Sequence, residues 1–408
     1  MISFKEAQNI ISEQVKYIER KTEKVKLSEV LNRVLAEDLL VTENIPSFNN
    51  SAMDGYAINT KNKCIEFDVD QTVAAGDDIS TINKEFKCVE IMTGAPIPTQ
   101  FNAVVRSEDV IALKDESNKV KKIKIKTPIH SGENVRFQGE DFKKGTVLFK
   151  KNHQFKLQDL MALAALGINE IGVYKKLKVA LLSTGSEVVT ADTKNLTKGK
   201  IRNSTSCYLI ETLKKMGVDV EYWGNVVDNE ASFLKTVESI AEGNFDIIIS
   251  TGAVSVGKFD FVTKIIKDLK SEIYFHKVAI RPGKPILFSK ININNKNLFF
   301  FGLPGNPMAS VIGVHFFIEP FINEYSYKFL TNFKFKLENS FTKPFGFTTF
   351  YKSKVNLENG TVRILDGQAS FMISSFLNAN AFVVLEPENE IVENGIKVET
   401  YLLGGHYV

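Results

Sequence analysis

Apolar positions follow two spacings along this chain, and each change of spacing marks a new part. Phe4, Ala7, Ile10, Ile11, Val15 and Ile18 keep to one helical face behind a capping-box pair, Ser3 and Glu6. Val30, Leu31, Val34 and Leu35 repeat a helical stripe, so the spacing predicts a second helix from Ser28. From Ile45 to about Asp141 the texture turns to short alternating runs broken by glycine, proline and asparagine, which reads as all-β. Inside it, Lys114 to Lys126 is rich in charge and reads as a solvated hairpin. Leu157 to Leu166 is helical again and stops at Gly167. The β stretch, residues 46–141, therefore looks inserted into a helical module of residues 1–45 and 142–175.

From Leu177 strands and helices alternate. KVALLSTGSE, VDVEYWGNVV, FDIIISTG and LFFFGLPGNP read as strands; Ser204–Met216, Asn229–Glu242 and Phe259–Leu269 read as helices. That order predicts a doubly wound, parallel-sheet α/β domain over 176–325, whose ligands bind beyond the carboxyl ends of the strands. After Tyr325, short strands with turns at Glu358-Asn359-Gly360 and Asp366-Gly367 predict a small β-barrel or sandwich over 326–408.

Composition narrows the function classes. Fifty-one basic residues face 48 acidic ones, a balance too even to indicate a nucleic-acid or membrane partner. Cys64, Cys88 and Cys207 are far apart and odd in number, which fits a reducing compartment and no disulfide framework. The histidines show no paired-ligand spacing. Leu298–Ile322 is apolar but broken by Pro304-Gly305-Asn306-Pro307, too short on either side to cross a bilayer. With no basic-then-apolar leader at the N-terminus, the chain reads as cytoplasmic.

Three turns carry candidate chemistry. Thr184-Gly185-Ser186-Glu187, Gly252 to Ser255 and Gly257, and Pro304-Gly305-Asn306-Pro307 each leave a strand with glycine, mostly beside small polar residues, and so offer backbone N–H groups to an anion. None matches a P-loop or a GxGxxG site. Glu187, Asp228 and Asp260 stand near them, and with Arg281 and Lys284 of AIRPGKPI they would suit Mg²⁺ beside phosphate. Asp228 and Asp260 read equally well as plain helix N-caps. Asp54 of SAMDGYA either closes a tight hairpin, with Gly55 at positive φ, or faces a ligand.

SAMDGYA, IMTGAPIP, GENVRFQGED, STGSE, TGAVSVGKFD, RPGKP, GLPGNP and VVLEP occur in the order found in the molybdopterin molybdenumtransferases, the family of bacterial MoeA and the gephyrin E domain. The resemblance runs from the first helix to about Pro387. It implies a homodimer of four-domain subunits that takes adenylylated molybdopterin, releases AMP with Mg²⁺, and inserts molybdate into the pterin. The molybdopterin adenylyltransferase and molybdoenzyme acceptors are implied as further partners. Asp54, Asp141, Glu187, Asp228 and Asp260 match its acidic positions and Thr93 the TGAP threonine. Arg281, Lys284, Pro285, Ser370 and Lys352 match the molybdate-facing side. Ala253 replaces a common glycine, Lys258 stands where an acidic or polar residue is usual, and FGFTTFYKS lacks the arginines often present there. An adenylyltransferase acting on molybdopterin and a non-catalytic scaffold of the gephyrin E-domain type are the alternative readings of the sequence.

Overall fold

The Ser3–Glu6 capping box closes as its spacing predicts: the Ser3 amide donates to Glu6 Oε2 at 2.7 Å and the Glu6 amide to Ser3 Oγ at 3.2 Å. Helix α1 (Phe4–Val15) follows, with Ala7, Ile11 and Val15 fully buried. This is a computed structural model, describing residues 1–253, 261–269, 271–293, 296–326, 333–388 and 390–403. The chain forms two compact units: residues 1–23, 32–34 and 173–408, and residues 24–31 and 35–172.

In the 24–172 unit, β1 (Asn50–Ser51), β2 (Gly55–Ile58), β3 (Thr72–Val73), β4 (Cys88–Ile91), β5 (Ala103–Arg106) and β6 (Val135–Arg136) are short. The main sheet has the order β3-β4-β2-β5. Alternation along it puts Ala57, Val89 and Val104 in one cluster and Tyr56, Cys88 and Val105 in another. The charged stretch forms the expected hairpin, Val110–Lys114 against Val120–Ile125.

The second helix expected from Ser28 does not form. Leu27–Glu29 is a single 3-10 turn and Asn32 sits at φ 64°. The backbone there bonds to other segments instead, with the Leu35 amide on the His153 carbonyl and the Tyr174 amide on that of Val34. In the 142–172 part, α2 (Asp159–Ala165) is the one α-helix among the described residues, ended by Gly167 at φ 65°.

The other unit is built on β7 (Lys178–Thr184), β8 (Asp219–Val226), β9 (Ile247–Thr251), β10 (Glu272–His276), β12 (Leu287–Ile293) and β13 (Lys296–Leu303), with a short β11 (Ile280–Arg281) between β10 and β12. The sheet order is β8-β7-β9-β13-β12-β10; the first four are mutually parallel and β12 runs against β13. Side chains alternate between two buried layers, as a doubly covered sheet requires. Val179, Leu181 and Ile249 pack with α1, α3 (Ser204–Met216), α6 (Pro307–Gly313) and α7 (Glu319–Tyr325). Leu182, Ile248 and Phe300 pack with α4 (Glu230–Glu242) and α5 (Phe261–Asp268). Helix α1 thus packs into the sheet's core.

Strands β14 (Phe333–Leu337), β15 (Thr348–Asn356), β16 (Thr361–Ile364), β17 (Ala381–Leu385) and β18 (Lys397–Leu402) close into a five-stranded barrel, β15-β16-β14-β18-β17 and back to β15. Strand β11 adds to it in parallel, Arg281 opposite Thr349. Phe350 and Phe382 reach from the barrel into the sheet's core, where the Phe316 and Phe350 rings lie 4.3 Å apart. Burying such rings is worth roughly 1.5–3 kcal/mol each and fixes the barrel on the sheet.

Candidate active site

The three glycine turns leave adjacent strands, β7, β9 and β13, at one edge. They touch. Gly252 sits at φ 92° and donates its N–H to the Leu303 carbonyl at 2.9 Å. A Cβ there would stand 2.6 Å from Thr184 Oγ1, so both conformation and space demand glycine. A Cβ on Gly305 would lie 3.5 Å from the Gly252 Cα, ordinary contact. Ala253 follows at φ 51°, a left-handed conformation that favours glycine over a residue with a Cβ. Ser255, Gly257, Lys258 and Asp260 lie outside the described residues.

Glu187 and Asp228 each hold a carboxylate against the first turn. Asp228 Oδ2 accepts the Ser186 amide at 2.7 Å, and the Glu187 carboxylate folds to where a Gly185 Cβ would be 3.0 Å away. Asp228 is not the α4 cap: that is Asn229, whose Oδ1 accepts the Ser232 amide at 2.8 Å. The Ser186 N–H is therefore spent within the protein and is not a free donor of the anion nest. Asn225 holds the same turn from below, donating to the Gly185 and Val188 carbonyls at 3.0 and 3.2 Å. Ser183 and Tyr222 hydroxyls pair at 2.8 Å, and Asn203 donates to both. Sequence reading missed this layer; Asn203 before Ser-Thr-Ser as an N-cap was its one visible signal.

At the third turn, Asn306 caps α6 through Oδ1, at 3.1 Å from the Met308 amide, with Pro307 in the first turn. Its Nδ2 donates to Ser370 Oγ at 2.9 Å, which brings the barrel's serine to the turn. Gly283, at φ 105°, would place a Cβ 3.6 Å from the Ala309 carbonyl, so the RPGKP loop lies against α6. Arg281 and Lys284 beside it are exposed, and Pro285 is half-buried. Lys352 does something different from the oxyanion contact expected of it. It is 2% exposed, and its ammonium donates to the carbonyls of Gly367, Met372 and Ala369 at 2.7, 3.0 and 3.4 Å.

Asp54, Thr93 and Asp141 belong to the 24–172 unit. Asp54 Oδ1 accepts the Thr93 amide at 2.7 Å and its hydroxyl at 2.9 Å, and these bonds hold its exposed carboxyl below the usual aspartate range. The hairpin reading fails: β1 pairs with β6, while β2 pairs with β4 and β5. Gly55 does not need positive φ; it is required because a Cβ would meet the Val105 carbonyl at 1.9 Å. Asp141 is exposed, its amide on the Ile45 carbonyl at 3.0 Å.

Among the described residues no three His, Cys, Asp or Glu side chains gather as a metal site. Mg²⁺ needs only one or two carboxylates beside substrate phosphates, and Glu187 with Asp228 supply that number at one turn. No helix among these residues is long and apolar enough to cross a membrane.

Three family descriptions match the chain: MoeA N-terminal region (domain I and II) over residues 2–167, Probable molybdopterin binding domain over 180–324, and MoeA C-terminal region (domain IV) over 334–403. A molybdopterin molybdenumtransferase of Synechococcus elongatus is 33% identical over 407 residues, covering 98% of this chain and 99% of that protein. One from Haemophilus influenzae is 33% identical over 417 residues, covering 99% and 100%. A solved structure of a molybdopterin biosynthesis MoeA protein from Pyrococcus horikoshii superposes with a TM-score of 0.80 at 29% identity, over 98% of this chain and 100% of that one.

Proposed function

The chain belongs to the molybdopterin molybdenumtransferase (MoeA) family, and we propose that its three-turn edge cleaves adenylylated molybdopterin and directs molybdate onto the pterin dithiolene. It acts in molybdenum cofactor biosynthesis. The adenylyltransferase reading is not favoured, because the family matches extend through the N-terminal and C-terminal regions as well as the pterin-binding one. The scaffold reading is not favoured, because relatives of nearly full length are named as the transferase.

The observation that carries the proposal is the contact of Gly252 with Thr184 and Gly305. Glycine at 252 and 305 keeps side chains out of the place where the second and third turns meet, so that phosphates can approach the backbone there. Asp228 locks the first turn through the Ser186 amide, and Asn306 locks the third. Arg281 and Lys284 supply positive charge beside the third turn. Cleavage breaks one P–O bond of the phosphoanhydride and water forms the new one; AMP leaves and the pterin keeps its phosphate. Insertion forms two Mo–S bonds and breaks one Mo–O bond, and the displaced oxygen departs as water with the two thiol protons. Glu187 and Asp228 would hold Mg²⁺ beside the substrate phosphates, where it would supply charge neutralisation for the leaving phosphate. In this reading Asp54 and Asp141 come from the second copy of a homodimer.

Incubating purified protein with adenylylated molybdopterin, Mg²⁺ and molybdate tests the reading. AMP release together with reconstitution of an apo-molybdoenzyme is the expected result. Adenylyl transfer from ATP onto molybdopterin, or no turnover in either direction, would contradict it.

A further inference from the structure

Lys352 is an unusual cation. Three carbonyls take its three protons, and among the described residues no carboxylate neutralises it. Burying an ammonium is costly unless its protons are matched, so this arrangement persists only because the loop wraps it closely. The carbonyls all belong to one short stretch, Gly367–Met372, and Ser370 lies between two of them. Gln368 clamps the Lys352 backbone from both sides, at 3.0 Å to its N–H and 2.9 Å to its carbonyl. Ser375 Oγ donates to the Gly367 and Met372 carbonyls too, at 2.7 and 3.0 Å. Ser370 in turn accepts from Asn306, the cap of the third turn.

We propose that Lys352 is a positioning residue: it never touches the oxyanion, but folds the Gly367–Met372 loop so that Ser370 is presented to it beside Asn306. The identity of that oxyanion as molybdate rests on the proposed function above. The folding of the loop does not. A direct ligand would need at least one ammonium proton aimed at the anion, and the geometry commits all three to the loop. Burial also lowers the lysine's pKa from its ordinary value, the direction expected of a cation held by dipoles rather than by a counter-charge.

The test combines backbone hydrogen exchange in the ligand-free protein with a molybdate dose response. Lys352→Met should speed exchange across residues 367–372 and raise half-saturating molybdate about tenfold, with kcat and the KM for the nucleotide substrate little changed. Lys352→Arg should not rescue it, because a planar fork cannot place three donors on these carbonyls. In a Ser370→Ala background, Lys352→Met should add nothing to the molybdate requirement. Ser375→Ala, which loosens the same carbonyls while keeping the buried charge, should move exchange and molybdate dependence the same way, and it serves if Lys352→Met does not fold. Unchanged exchange with a raised molybdate requirement would overturn the proposal, as would rescue by arginine or additivity with Ser370→Ala. If the wild-type protein shows no molybdate dependence at all, the proposed function fails, and exchange alone then decides the positioning role.

Discussion

Asp228 and Ser186 are joined across 2.7 Å, carboxylate to amide, so that an acid at the end of β8 fixes the glycine turn at the end of β7. The helix that follows Asp228 is capped by its neighbour, Asn229. Two adjacent substitutions should therefore separate cleanly. Asn229→Ala should cost about 1 kcal/mol of stability and spare activity, as a lost cap does. Asp228→Ala should cost a similar amount, about 1 kcal/mol, and abolish Mg²⁺-dependent AMP release. Thermal unfolding beside an AMP assay reads both; equal activities in the two variants would sink the assignment of Asp228 to the site.

Ala253 holds a left-handed conformation that costs a residue with a Cβ about 1 kcal/mol. Ala253→Gly should accordingly raise the unfolding free energy by about that amount, roughly 1 kcal/mol, measurable by urea titration. A destabilised variant would show that the strain is not real.

The two Thr93 bonds depress the Asp54 carboxyl, so the sign of its pH effect is set. A depressed folded-state value contributes stability above the ordinary aspartate pKa of about 3.9, and the contribution fades as the solution is acidified through the folded value. Thr93→Ala removes the hydroxyl bond and leaves the amide bond. Carboxyl-carbon NMR should then show Asp54 titrating closer to its ordinary value. No change would mean that the amide alone sets it.

Because Asp54 and Glu187 belong to different compact units, the proposed dimer predicts complementation. Asp54→Asn and Glu187→Gln subunits, each inactive alone, should recover part of the AMP-releasing activity when mixed. Verified heterodimers with no recovery would count against a site shared between subunits.

What the sequence revealed, and what it hid, follows from the range of the forces involved. Buried parallel strands read clearly because both faces are apolar, as in Ile247–Ile249, and the glycine turns ending them read as turns. Val30, Val34 and Leu35 imitated a helix because their burial has a helical period, yet distant carbonyls at His153 and Gly172 captured the neighbouring amides. At Asp228-Asn229 the sequence leaves the cap open, since either side chain can cap, and only the fold decides for Asn229. Lys352 matches the molybdate-facing side in sequence, and nothing there shows that it is buried. Its burial depends on a loop that is some fifteen residues away in sequence and has no periodicity to announce it. The exposure of Arg281 and Lys284 was legible, because a proline-rich turn carrying two cations lies at a surface.

The central claim is that one edge carries two separable anion sites: a carboxylate side for the phosphoanhydride, and a cation side at Arg281 and Lys284 for molybdate. The most direct measurement pairs calorimetric titration of adenylylated molybdopterin with a molybdate dose response, in wild type and in Lys284→Ala. Loss of one charge-assisted contact should weaken molybdate use by roughly 1.5–3 kcal/mol, about ten- to a hundredfold, and leave the affinity for the nucleotide substrate unchanged. Weakened nucleotide binding with an unaltered molybdate requirement would contradict the account and place Lys284 on the phosphates.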